Sequence, residues 1–295
     1  QRKPRMKKPL IVRHKGRAGN RLFQYFFCAE LARRSGNHYV ADVYIPDLGI
    51  ESDTKAAEHG NLFGIEGMHD FDIASLAATL RDGDYTGATF RGFAMRLEYY
   101  DRAFCKHLLN MKAGAGTGFG PEFLVINIRA GDIFNGPHPD LVSLGYGGLY
   151  GADHMYKGVH PDYRPLPLSY YEKLIKETGL KPVFVGETGS HKAYEAALHR
   201  RFPNAVFTGT RTPKEDFLTL MGSSHIALAI SSFSWLGAWL SDARTIHIPV
   251  AGLFDPHQRP DVNLLPPPSD TRYVRHPMPR LQWQGSPEQI AELFA

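Results

Sequence analysis

The sequence predicts an α/β fold of parallel, doubly wound sheets arranged in two lobes. Short apolar runs alternate with stretches of helical spacing through the second half of the chain, the pattern of strand–helix–strand crossovers. A strand, a glycine turn and a helix open the chain as a smaller unit of the same kind. At 295 residues, the chain exceeds the usual single-domain size, so two domains are expected.

In the first lobe, Leu10-Ile11-Val12-Arg13 reads as a strand and Gly16-Arg17-Ala18-Gly19-Asn20 as a tight turn. A helix follows from about Arg21 to Arg34, with Leu22, Tyr25, Phe26, Ala29 and Ala32 on helical spacing and Gly36 as its stop. Glycines allow close backbone approach, and a helix start leaves N–H groups unpaired, so this turn suits an anion. Neither the dinucleotide fingerprint nor a Walker loop is present. Strands are expected at His38–Val43 and Asp84–Phe90, then an amphipathic helix over Phe93–Leu109. Residues Ala113 to Gly120 carry glycines at spacing two. They follow a helix and lead into a strand, the wrong order for a phosphate cradle, so they read as an interdomain hinge. The expected domains are residues 1–120 and 121–295.

The second lobe starts with a buried strand, Phe123–Ile128, that ends in Arg129-Ala130-Gly131-Asp132. Ligands of open α/β sheets bind at this end of the strands. Arg129 suits a bidentate phosphate contact, and an Arg129–Asp132 ion pair is the bland alternative. The stretch from Ile133 to Leu168 reads as a flap. Its Tyr146, Tyr150, Tyr156 and Tyr163 suit stacking on sugar rings, while His138, His154 and His160 lack metal-site spacing. Helices are expected from Ser169, with Ser169-x-x-Glu172 as a capping box, over Ser190–Phe202, and from Thr212-Pro213-Lys214-Glu215. Pro182–Gly186, Ala205–Thr208, Ile226–Ile230 and Thr245–Ile248 read as strands, and Pro287–Phe294 as a final helix. Between strand and helix stands Ser231-Ser232-Phe233-Ser234-Trp235. Serines at a helix start either cap the helix or hold a phosphate or diphosphate.

A hydrophobic content of 43% supports real cores, and the net charge of +4 fits a nucleotide-sugar enzyme as well as a nucleic-acid binder. Cys28 and Cys105 read as reduced core residues. The basic run Arg2, Lys3, Arg5, Lys7, Lys8 reads as a solvated tail, with peripheral contact to anionic lipid as the alternative. No membrane span or signal peptide is visible, and a cytoplasmic location is expected. Opening on Gln1, the chain reads as trimmed or as part of something longer.

Gly16-x-x-Gly19-Asn20-x-Leu22-Phe23-Gln24-Tyr25 resembles the Gly-Gly-Leu-Gly-Asn-Gln-Met-Phe-Gln-Tyr opening of bacterial α-1,2-fucosyltransferases, glycosyltransferase family 11. Asn127-Ile128-Arg129-Ala130-Gly131-Asp132 stands where that superfamily has His-x-Arg-Arg-x-Asp, with Asn127 for its histidine and Ala130 for its second arginine. Glu215-Asp216-Phe217 through Ser231-Ser232-Phe233-Ser234-Trp235 and Ala238-Trp239-Leu240 is similar to its closing block.

The resemblance implies two Rossmann-like lobes facing a cleft (the GT-B type), the final helix packing back across the first lobe, and inverting transfer of fucose from GDP-fucose to a glycan hydroxyl. The partners would be a nucleotide sugar and a glycan acceptor, not nucleic acid. It also implies metal independence, because positive side chains and helix ends replace the divalent ion; no cofactor is expected. Asp70-Phe71-Asp72 and Asp82-Gly83-Asp84 only imitate a metal–diphosphate motif. Arg129 would stabilise the leaving diphosphate, with Asp132 a site residue of unspecified role. Ser231, Ser232, Ser234 and the Phe233 N–H would hold the phosphates, Gly16, Gly19 and Asn20 would line the opposite wall, and Glu187 would contact base or ribose. Asp132, Asp140, Asp153 and Asp162 are candidate bases. Another sugar donor, or an inactive glycan- or polyanion-binding module on the same fold, remain open.

Overall fold

Two all-parallel sheets organise the α/β chain. The computed structural model describes residues 7–52, 54, 56, 60–135, 162–187 and 191–295, without the side chains of Asp132, Asn135 and Glu187. Residues 1–114 with 261–264 form one compact unit, and 115–260 with 265–295 form the other. The break after residue 114 falls inside the glycine segment expected as the hinge, six residues before the expected boundary at 120, and the first unit takes in a short later segment.

The first unit runs β1 (Lys8–Val12), α1 (Ala18–Ser35), β2 (His38–Ala41), a small hairpin β3 (Tyr44–Ile45) and β4 (Ile50–Glu51), then β5 (Leu62–Glu66), α2 (Ile73–Asp82), β6 (Gly87–Arg91) and α3 (Arg102–Ala113). Its main sheet has the order β2-β1-β6-β5. The apolar spacing of α1 reports a helix buried on most sides, with Phe23, Phe26 and Phe27 fully enclosed. Phe27 meets Phe71, Phe90 and Tyr99 at ring distances of 5.0, 4.8 and 5.4 Å. Within this cluster Glu30 is a buried carboxylate. It takes the Asp101 N–H at 2.8 Å and pairs with Arg33 at 2.6 Å, which ties α1 to the start of α3. Both cysteines are free and buried.

Three expectations change here. The helix expected over Phe93–Leu109 begins only at Arg102, where the Asp101 side chain accepts the Phe104 N–H. Ahead of it, Arg96 bridges to Asn263, and the Leu97 N–H bonds to the Asn263 carbonyl at 2.8 Å. Strand β5 and helix α2 were not among the expected elements, and Asp72, half of one metal-motif imitation, is the cap of α2. Of the basic tail, Lys7 and Lys8 are described, and Lys8 begins β1.

The second unit runs β7 (Phe123–Arg129), α4 (Leu168–Thr178), β8 (Lys181–Glu187), α5 (Lys192–Arg201), β9 (Val206–Phe207), α6 (Pro213–Gly222), β10 (His225–Ala227), α7 (Ser232–Leu240), β11 (Thr245–Val250), β12 (Tyr273–Pro277) and α8 (Pro287–Phe294). Its strand order is β12-β11-β10-β7-β8-β9. The sheet grows from β7 through β8 to β9, then restarts at β10 on the other side of β7. The Thr212–Glu215 capping box forms as expected. That at Ser169–Glu172 does not: Pro167 leads into α4 without a side-chain cap, and Glu172 instead holds Arg201 at 2.7 Å. Helix α8 belongs to this second unit rather than to the first, with Phe294 against Tyr194 at 6.1 Å. Among the described residues no helix is long and apolar enough to cross a membrane.

The glycine run past residue 114 has a packing reason. The Thr117 N–H bonds to the Leu218 carbonyl at 3.0 Å and the Phe119 N–H to Ser223 Oγ at 3.1 Å, so backbone lies against backbone at the end of α6. A Cβ on Gly118 would collide with Gly222 and Ser223 main chain, whereas one on Gly64 in β5 would meet nothing. Gly118→Ala is expected to lower stability by about 1–3 kcal/mol, several degrees in Tm, through overpacking. Gly64→Ala should leave Tm nearly unchanged; calorimetry on both variants checks this.

Candidate functional site

The strand order of the second unit reverses between β7 and β10, the kind of position at which open parallel sheets bind ligands beyond their strand ends. Parallel register pairs Val125 with Ile226 and Ile126 with Ala227. From that level Arg129 ends β7, and Ser231 caps α7 after β10. The two segments singled out from sequence thus leave adjacent strands at the same edge of the sheet.

Arg129 is half-buried, and its guanidinium lies 4.5 Å from the centroid of Tyr163. Stacking on a ring fixes the guanidinium plane and leaves its N–H edge available for a planar or tetrahedral anion. Tyr163, expected among sugar-stacking aromatics, is therefore a platform for Arg129. Alternation along β7 puts Asn127 on the same face as Arg129. Asn127 is buried, and its Nδ2 donates to the Val185 carbonyl at 3.2 Å. Glu187 is the register partner of Arg129 on β8; its side chain, like that of Asp132, lies outside the described set.

Beyond Arg129 the chain turns inward. Ala130, Gly131 and Ile133 are buried, and Trp283 Nε1 donates to the Ile133 carbonyl at 2.6 Å. Phe134 stacks on His191 at 4.1 Å and meets Trp283 edge-on at 6.2 Å. Trp283 thereby fixes the exit of β7 from 150 residues away. Nothing in its own sequence neighbourhood announces that contact.

On the β10 side, Ser231 is a true N-cap: its Oγ accepts the Phe233 N–H at 3.2 Å. Ser234 is fully buried and donates to the Ala229 carbonyl at 3.0 Å, bracing the turn from inside. The Phe233 N–H and the Ser234 hydroxyl, both expected on a phosphate, are thus engaged with the protein in this state. Ser232 is buried at the first helical position. The first turn of α7 carries no acidic residue, so its own sequence sets no negative side chain against the positive end of the helix.

The Phe233 ring rests against Phe217 of α6 at 5.2 Å. Next to Phe217 stands Asp216, a residue the sequence reading quoted without a role. Arg211 Nε lies 3.6 Å from Asp216 Oδ1, close enough for attraction but too long for a hydrogen bond, and that oxygen is buried without a hydrogen-bond partner among the described residues. Burial raises the Asp216 carboxyl to about 6; Arg211 opposes the shift and Glu215 adds to it.

Asp162, one of the candidate bases, is not available for that role. It is almost fully buried and paired with buried Arg259 at 3.1 Å, with Gln258 Nε2 a further donor at 3.3 Å. A carboxylate closed in this way holds two chain segments together. Asp140 and Asp153, the flap tyrosines 146, 150 and 156, and the histidines 138, 154 and 160 lie outside the described residues. Among the described residues no group of three or more His, Cys, Asp or Glu is arranged to hold a metal ion.

In the first unit, Gly16 adopts φ +76°, and a Cβ there would press on Asn20 Nδ2 at 2.5 Å. Gly19 is buried in the first turn of α1. Asn20 thus packs under the turn. Gln24, fully buried, does more. Its Oε1 accepts the Lys15 N–H at 3.0 Å, and its Nε2 donates to the Lys15 carbonyl at 3.0 Å. It also contacts His14 Nδ1 at 3.0 Å. Burial lowers the His14 imidazole to about 4 despite that bond, so the ring is neutral at pH 7.

The raised Asp216 carboxyl sets a pH dependence. The folded chain binds this proton more tightly than the unfolded one, so the stabilisation is complete below the ordinary carboxyl range. It is lost as pH rises through about 6. Asp216→Asn is therefore expected to raise Tm by a few degrees at pH 8 and to change it little at pH 4, measured by thermal melts across that range. As to relatives, no known family model and no curated protein sequence matches the chain.

Proposed function

We propose that the chain is an inverting, metal-independent glycosyltransferase of the GT-B type, moving fucose from GDP-fucose to a glycan hydroxyl. One observation carries the proposal. Arg129 and the Ser231–Ser232 turn leave neighbouring parallel strands at the strand-order reversal, a guanidinium at one strand end next to a helix start whose first turn holds no acidic residue. That combination suits a diphosphate. The resemblance of the Gly16–Tyr25 and Ser231–Leu240 segments to fucosyltransferases supplies the donor.

In this reading the acceptor oxygen attacks the sugar C1 from the side away from the diphosphate. The C1–O bond to phosphate breaks, its electron pair stays on GDP, and the hydroxyl proton passes to a carboxylate of the site or to water. Charge grows on the diphosphate oxygens as the bond breaks, so Arg129 and the α7 amide end stabilise the transition state more than the bound donor. Asp132 is our assignment for the site carboxylate; Asp162 is excluded by its pairing with Arg259.

A second reading keeps the transfer and changes the sugar donor. Asn127 and Ala130 favour it, because one is turned to the Val185 carbonyl and the other is a buried methyl where the resemblance leads one to expect charge. Thermal-shift titrations with GDP, UDP, CMP and NAD, each with and without EDTA, test both. Stabilisation by GDP alone that survives EDTA is the expected result, and another nucleotide would move the assignment to a different donor. Silence from all four would leave an inactive glycan-binding module. Arg129→Ala should abolish the GDP shift and lower turnover roughly 10²–10³-fold, with Arg129→Lys in between because a lysine cannot make the paired contact.

A further inference from the structure

The first unit has its own strand-order reversal, between β1 and β6. Beyond it lies a cavity of about 350 Å³, lined by Arg13, His14, Lys15, Asp42, Tyr44 and Arg91. Three of these side chains are cations and one is an anion. Asp42 lies 3.9 Å from Arg13 and also accepts the Ala56 N–H at 3.1 Å, so its charge is already shared. Lys15 and Arg91 are exposed. The neutral His14 adds no charge, which leaves the cavity net positive.

The cavity is rigidly built. Gln24 grips both the N–H and the carbonyl of Lys15, and Arg13 N–H bonds to the Phe90 carbonyl of β6 at 2.9 Å. Asp42 holds a left-handed backbone at φ 57°, uncommon for a residue with a side chain and a conformation that clusters at ligand sites. Tyr44 is 50% exposed, and Arg21 anchors its carbonyl at 3.0 Å while lying 5.9 Å from its ring. An exposed aromatic face beside exposed cations on a held backbone suits a sugar ring that bears a negative group. The volume lies in the range of small-molecule sites.

We propose that this cavity recognises the carboxylate, sulfate or phosphate carried on a sugar, so that the acceptor of the reaction is an acidic glycan. Arg91 and Lys15 pair with the anion, and Tyr44 carries the ring. The role as acceptor rests on the transferase reading above; the anion site itself does not.

Isothermal titration of the full chain tests it. The probes are a galacturonic-acid tetramer, its methyl-esterified neutral form, a sulfated tetrasaccharide and a short single-stranded DNA. Acidic sugars should bind and the neutral form should not, the tighter of the two acidic probes identifying the anion. Arg91→Ala and Lys15→Ala should each weaken binding roughly tenfold, as loss of a charge-assisted contact does. Because both side chains are exposed, melting temperatures should stay unchanged. Tyr44→Ala should weaken the acidic sugars while leaving binding of inorganic phosphate as it was. Equal binding of the neutral form, or unchanged binding by both charge variants, would overturn the site, and tighter binding of DNA than of either acidic sugar would overturn the glycan as its occupant. If GDP fails to bind Arg129 while acidic sugars still bind through Arg91, the transferase reading falls and the anion site stands.

Discussion

The candidate chemistry of the second unit depends on one backbone constraint, the parallel pairing of β10 against β7. Two register pairs, Val125 with Ile226 and Ile126 with Ala227, set both strands at one level. Once they hold, a strand ending in arginine and a strand handing over to a serine-capped helix must finish side by side. A slip of one residue would turn Asn127 and Arg129 to the other face of the sheet. The surrounding contacts defend that register: Tyr163 under Arg129, Trp283 on the Ile133 carbonyl, and Ser234 on the Ala229 carbonyl.

Much of this was legible locally. The apolar run of β7, the Thr212 cap and the serines before α7 are short-range signals, and each forms where its residues predict. The same kind of signal failed at Ser169, because α4 starts at Leu168 with Pro167 at its N-cap, two residues ahead, which puts Ser169 inside the first turn. Gly64 and the polar residues around it dilute the periodicity of β5, whereas α2 carries Ile73, Ala77 and Leu80 at helical spacing behind the Asp72 cap, a signal its sequence does contain. Within the site, Arg129 could be picked from its place at a strand end. The platform beneath it and the wedge behind it could not, since Tyr163 and Trp283 reach the site only through tertiary packing. Asp216 was visible as a residue but not as a buried charge, because burial belongs to the fold.

The ionisable groups divide by what encloses them. Glu30 and Asp162 are deeply buried and paired with arginines, so their work is to join segments. Arg129, Lys15 and Arg91 stand instead at the carboxyl ends of strands or just beyond them. Arg129 in the second sheet, and Lys15 and Arg91 in the first, stand where the strand order reverses, the place at which open parallel sheets bind ligands.

The short segment Asp261–Leu264 belongs to the first unit although its neighbours on both sides belong to the second. There Asn263 bonds to the Met95 carbonyl and the Leu97 N–H, its side chain donates to Glu98, and Asp261 lies 3.8 Å from buried His69. During synthesis, the first unit therefore lacks one of its own pieces until residue 264 has emerged. Its completion must come late, after the second sheet has most of its strands.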